Sequence, residues 1–398
     1  MSEGESQGPS GFTERVGLRY FRRLEARRRC DPNDPVIIDD EVIAQLQQVE
    51  RQGVLWASAY GALSGICCAL GAVWLGGIFE ARPEHILAPF EWLLTIGISV
   101  VVTVIELVGL YRLSLNTAFR LAIASGADRW PDAAQREDFY LGLIRSGLEI
   151  PNPNTAVMGI DPLREASRWR LVARALLYKL KRSATNLVAK AIARRVVGRS
   201  AVRGLAEFVA APVFAVWNAV VFRWALREAR LRAMSARYVD RLVARALPDA
   251  LRLCEDAETA CLSAVAVAAV SARDLHPNRL QLLRALVARF SVDVERLTDE
   301  RASFLQSLPA LAPAGRRAAV ALLVGGIIID GRISRRDHRL LEAAFSAIGE
   351  PMDLEAIRGL GQRMRIEGWM TDAHIDAALT PCFPGGGESL SNPHEALQ

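Results

Sequence analysis

The sequence predicts an all-α chain: a two-span transmembrane helical hairpin followed by cytosolic helical domains. Three observations carry that reading. From Gly53 to Phe79 there is no charged residue over 27 positions, and from Trp92 to Tyr111 a second run of 20 carries a single charge, Glu106. About 20 such residues suffice to cross a hydrocarbon layer roughly 30 Å thick. Beyond the second run, apolar residues recur at helical spacing among charged ones, and the charge is unevenly spread.

At 398 residues the chain has room for two or three domains. A hydrophobic fraction of 51% is high for a wholly soluble protein. Net charge is +5, yet Arg164 to Arg245 holds 19 Lys or Arg against four acids (Glu165, Glu207, Glu228, Asp240), so the remainder is net acidic. An internal basic block points to an anionic partner. Anionic lipid is favoured and nucleic acid is not expected, because no nucleic-acid-binding motif is present and a membrane surface already adjoins the block. The six cysteines form no CxxC pair and two lie in the first span, so neither a disulfide framework nor a zinc site is implied. Residues 1–52 are polar, which argues against a signal peptide.

In chain order, 1–52 is an N-terminal basic, helical segment. Phe12 to Arg29 interleaves Val16, Leu18, Tyr20, Phe21 and Leu24 with seven arginines. It reads either as a helix lying on the membrane surface or as a solvated helix packed on the cytosolic domain. Ile37 to Gln52 leads into the hairpin, 53–112, whose spans cover about 53–79 and 92–111. Ala57, Gly61, Gly65 and Ala69 make a smooth face every fourth residue, on which the second span is the expected partner. Glu106 is a candidate functional carboxylate by its position. The bland reading has it snorkel to the interface or bond Ser58 or Tyr60. Lys and Arg lie mostly outside the loop, where Arg82 stands by itself, which places both termini in the cytoplasm of a bacterial inner membrane protein.

Linker helices and a turn-rich loop occupy 113–163. The basic, partly hydrophobic region 164–246 contains amphipathic helices at 164–181 and 186–197. Phe208 to Phe222 is apolar but only 15 residues long and holds Pro212 and Asn218. It is short for a span and reads as a re-entrant, surface-embedded or buried helix. A helical domain at 247–379 and a disordered tail at 380–398 complete the chain.

The C-terminal domain carries the most specific motif. An apolar helix, Ala318 to Ile329, runs into Asp330-Gly331-Arg332-Ile333-Ser334, then Asp337 and Leu340-Leu341. Gly331 permits a turn, Ile333 plugs the core, and Ser334 with Asp337 caps the next helix. This stretch resembles the tellurite-resistance B-like (TerB-like) helical domain, with Asp337 where that family usually has Glu. A shift of 58 residues lays Cys261–Leu286 over Ala319–Ala344, an internal pseudo-repeat whose first copy has Ala272 and Arg273 in place of Asp330 and Gly331. The whole layout resembles a family of uncharacterised bacterial membrane proteins with a TerB-like end. The resemblance implies divalent-cation ligation, Ca²⁺ or Mg²⁺, at Asp330 and Asp337 with Glu342 nearby. The competing reading is that Asp330 caps the turn and Asp337 completes a capping box.

No Ser/His/Asp set, nucleotide loop, HExxH or GxGxxG motif is present, so no enzyme is expected. The expected function is non-enzymatic sensing or scaffolding at the membrane, stress-related, with an unidentified protein partner. The alternative is an oligomeric transporter or channel component using Glu106 and Asn218.

Overall fold

The computed structural model describes residues 11–27, 39–80, 88–125, 133–147, 160, 203–248, 251, 253–273, 276–290, 299–368 and 370–379. The amphipathic helices expected at 164–181 and 186–197 and the tail 380–398 lie outside them. All regular elements described are helices. The chain forms two compact units: 1–151 with 168–230, and 152–167 with 231–398. The C-terminal part of the second unit begins at Leu231, ahead of the 247 start of the expected helical domain.

In the first unit, α1 is Phe12–Arg27, α2 Asp39–Glu80, α3 Ala88–Ala124, α4 Ala133–Gly147 and α5 Arg203–Ala233, whose last residues fall in the second unit. Both α2 and α3 are long and apolar enough to cross a membrane. The core helix of a soluble protein would pass the same length test, but it would be enclosed. Here only 33% of the apolar window in α2 and 6% of that in α3 is buried. Leu55, Trp56, Leu63, Leu70 and Trp74 of α2 stand exposed, as do Val100, Val101, Val104, Ile105 and Val108 of α3. The two helices run antiparallel, with the Tyr60 ring against Gly109 and Ile98 against Gly71.

The smooth face of α2 has a different partner from the expected second span. A Cβ on Gly61 would collide with the Phe214 carbonyl, and one on Gly65 would come within 2.5 Å of Ala211 Cα. Both neighbours belong to α5, so the glycines let the α5 backbone approach. The stretch Phe208–Phe222 is part of this continuous 31-residue helix, which passes through Pro212.

At the other end of the hairpin, α1 packs on α4 and the extension of α3. Phe21 is fully enclosed, edge-on to Phe119 and to Tyr140 at 5.3 Å each. Arg145 Nε donates to Glu14 Oε1 at 3.0 Å, a buried pair. Helix α1 thus packs on α3 and α4 of its own unit, not on the cytosolic domain expected as its alternative partner.

The second unit contains α6 (Ser235–Ala246), α7 (Glu255–Ala272), α8 (Pro277–Phe290), α9 (Arg301–Ser307) with a 3-10 turn Leu308–Ala310, α10 (Pro313–Ile328), α11 (Arg335–Ile348), α12 (Leu354–Glu367) and α13 (Asp372–Leu379). Its centre is the pair α7 and α10, apolar and buried on nearly every face. The 58-residue offset extends to the helix limits: Glu255 maps to Pro313, Pro277 to Arg335 and Phe290 to Ile348. Ala257 faces Gly315 and Ala268 faces Gly326, each pair again 58 apart, so α7 and α10 lie parallel in equivalent register. The turns correspond as well. Arg273 and Gly331 both have left-handed backbone, φ 55° and 69°.

Gly331 is required twice over. Its positive φ disfavours any side chain, and a Cβ there would stand 2.7 Å from backbone atoms of Arg365. Gly331→Ala is expected to destabilise the second unit by about 2–4 kcal/mol. Hydrogen exchange of the α10 and α11 amides in the full chain should read this as faster opening.

Candidate functional site

Two polar clusters stand out, one in each unit. In the first, Glu106 of α3 is 6% exposed. Ser64 Oγ of α2 donates to its Oε2 at 2.6 Å, and Asn218 Nδ2 of α5 donates to its Oε1 at 2.7 Å. The expected partners Ser58 and Tyr60 are not those that bind it. Tyr60 instead covers Gly109. Nor does the carboxylate snorkel. It lies opposite Ser64, eleven residues past Gly53 and so about 16 Å along α2 at 1.5 Å per residue. One carboxylate thus joins α2, α3 and α5 at a single point. Hydrogen bonds between helices in an apolar layer contribute on average about 0.6 kcal/mol and up to about 1.7. Toward the charged end of α2, Arg230 Nη1 of α5 donates to Glu50 Oε2 at 3.0 Å.

The second cluster surrounds the turn after α10. A helix leaves its last four carbonyls without intrahelical donors. Here each has one. Tyr238 Oη donates to Gly325 O at 3.2 Å, and Arg279 Nε to Gly326 O at 2.8 Å. Arg279 Nη2 donates to Ile327 O at 3.4 Å, and the Gly331 N–H to Ile328 O at 2.8 Å. Asn278 Nδ2 adds bonds to Ile329 O and Leu231 O. Arg279 has no exposed surface at all, and its Nη2 also donates to Asp330 Oδ2 at 2.9 Å. The other Asp330 oxygen accepts the Arg332 N–H at 2.9 Å.

Asp337, 1% exposed, is equally committed. Its Oδ2 accepts the Ser334 N–H at 2.8 Å while Ser334 Oγ accepts from the Arg336 and Asp337 N–H groups, a complete capping box. Its Oδ1 accepts from Ser271 Oγ at 2.6 Å. Glu342 is half-exposed and faces His338 Nδ1 at 3.4 Å.

The donor set does not fit the implied Ca²⁺ or Mg²⁺ site. Both oxygens of Asp330 and both of Asp337 already accept hydrogen bonds, and a guanidinium 2.9 Å from Asp330 repels a second cation. Among the described residues no group of three or more His, Cys, Asp or Glu is placed to hold a metal ion. Asp330, Asp337 and Glu342 act as helix and turn caps and a surface pair.

Nucleophiles are equally unpromising. Burial, helped by Glu258, pushes the Cys261 thiol well above its ordinary range, and burial does the same to the Tyr238 hydroxyl. Sequence reading did not single out Arg279, Asn278 or Ser64. The 58-residue shift held one signal, since it lays Arg279 on the helix-capping Asp337.

Comparison with protein-family models, curated proteins and solved structures finds no match to this chain.

Two expected outcomes follow from the clusters. Asp330→Asn should strand the buried Arg279 charge and destabilise the second unit by about 2–4 kcal/mol. Millimolar Ca²⁺ or Mg²⁺ should leave the melting of both forms unchanged. The double change with Arg279→Met should cost clearly less than the two single changes summed. For the first cluster, Glu106→Leu orphans Ser64 and Asn218. It should lower resistance to SDS unfolding by about 1–3 kcal/mol, and Glu106→Gln by less.

Proposed function

We propose that this chain is a non-enzymatic protein of the bacterial inner (cytoplasmic) membrane. In this reading the hairpin α2–α3 anchors a cytosolic TerB-like helical domain that senses or scaffolds at the membrane. The observation that carries it is the exposure of apolar side chains along α2 and α3, a surface that water would not tolerate at this extent. Orientation follows from basic residues. Arg51, Arg112 and Arg120 flank the spans at one end, and Arg223, Arg227 and Arg230 close α5 beside Glu50 at that same end. Only Arg82 stands in the loop, so both termini are cytoplasmic on the positive-inside rule. The surplus of Lys and Arg between Arg164 and Arg245 suits the anionic lipid of that leaflet. The TerB-like assignment rests on the Asp330–Ser334 turn, its left-handed Gly331 and the capping box that follows. A non-catalytic role fits acidic motif residues that are consumed by internal hydrogen bonds.

A second reading, an oligomeric transporter or channel component, draws on the bonded pair Glu106 and Asn218. Two spans and one shared carboxylate enclose no pathway without several copies. Native mass spectrometry from detergent separates the readings: a monomer or dimer is expected, and a tetramer or larger ring would favour the pore. Reporter fusions at residue 86 and at the C-terminus should label opposite sides of the membrane. Labelling on one side would overturn the anchor topology.

A further inference from the structure

The apolar surface of the first unit does not end with the hairpin. On α5, Val213, Val216, Trp217, Val220 and Trp224 are exposed, from 37% to 63%. Counted from Val213 they fall at i, i+3, i+4, i+7 and i+11, which puts all five on one helix face. The opposite face is against α2. Its register there is set by four contacts: Arg230 with Glu50, Phe222 and Leu226 with Gly53, Phe214 and Asn218 with Gly61, and Ala211 with Gly65. Helix α5 therefore runs antiparallel to α2 and level with its uncharged run. Phe222 stands where that run begins. From there back to Phe208, which follows the charged Glu207, are 15 uncharged residues, about 22 Å of helix and less than the full thickness of a hydrocarbon layer.

We infer that the Phe208–Phe222 stretch of α5 is embedded in the membrane beside α2, with its Val213–Trp224 face against lipid acyl chains. This rests on the reading of α2 and α3 as membrane spans. Given those, a helix side by side with α2 at the depth of Gly53 to Gly65 meets the same surroundings as Leu55 and Leu63. Three features agree with that placement. The buried polar atom of α5, Asn218 Nδ2, is spent inside the bundle on Glu106, as a polar group at membrane depth must be. Trp224 stands exposed beside Arg223 at the end of the apolar stretch, the arrangement of an interfacial aromatic belt. The close approach over Gly61 and Gly65 is the means by which membrane helices pack without a hydrophobic driving force. Pro212 and Asn218 count against membrane placement only when the stretch is read apart from the hairpin that receives it.

The test is spin-label accessibility in proteoliposomes, on the full chain with its six cysteines replaced and one introduced at a time. Val213→Cys, Val216→Cys and Val220→Cys should favour oxygen over a water-soluble nickel complex, as should the hairpin controls Leu63→Cys and Ile105→Cys. Ile366→Cys, exposed in the second unit, should favour nickel. Depth should increase from Val220 to Val213 by about 10 Å, seven residues of helix. Nickel-favoured or equally shallow α5 labels beside oxygen-favoured controls would overturn this inference and leave the hairpin standing. Nickel-favoured controls would overturn both. A benzoylphenylalanine at Trp217, in the chain with its cysteines intact, should crosslink to phospholipid. Crosslinking to a second copy, or to neither, would also overturn it.

Discussion

The Arg279 guanidinium is wholly enclosed, and the second unit is arranged around satisfying it. Leaving one buried charge unpaired costs several kcal/mol, a large share of a domain's stability. Here the charge serves three ends at once. It neutralises Asp330, supplies donors to two carbonyls at the end of α10, and so closes a helix whose C-terminus lies in the core. Tyr238 from α6 and Asn278 beside it complete the set. The requirement recurs in the first unit with opposite sign. Glu106, enclosed among apolar side chains, draws Ser64 and Asn218 to itself and thereby joins three helices. In both units the apolar surfaces supply the driving force, and the polar clusters select which arrangement of it is allowed.

That division of labour decides what could be read from residue order. The spans were legible because 27 and 20 nearly uncharged positions leave little else for a helix to do. The turn at Asp330–Ser334 was legible because its demands are local: a left-handed glycine and a capping box within four residues. The smooth face at Gly61 and Gly65 was visible too, but its partner was not. Small residues declare that something approaches closely without declaring what. The fit of α5 on the hairpin was obscured for the converse reason, since Asn218 reads as an isolated polar residue until Glu106 is seen opposite it. Arg279 was missed because a lone arginine in a sequence reads as solvated. Enclosure is a property of the neighbours, and those lie some 50 positions away.

The pseudo-repeat explains why the acidic turn is closed. Arg279 and Asp337 occupy equivalent places, three residues into the caps of α8 and α11, and each reaches the turn of the other copy. Arg279 meets Asp330 after α10, and Asp337 meets Ser271 at the end of α7. Two acids at these places would have left Asp330 facing a second carboxylate, an arrangement that seeks a cation. With arginine at one and aspartate at the other, the cation is built into the chain. The left-handed residue differs likewise. One copy has Gly331, closed in by the Arg365 backbone, and the other has Arg273 in the same left-handed conformation.

The same constraints divide the surfaces of the two units. The second unit turns its apolar residues inward so completely that Ile366 is the large hydrophobic side chain it leaves exposed among those described. Its motif residues are bonded to one another. The first unit is the reverse: its exposed surface is largely aliphatic and aromatic along α2, α3 and α5, and its charges gather at one end near Glu50 and Arg230. A largely apolar surface and a largely polar one are thus made by different stretches of the chain.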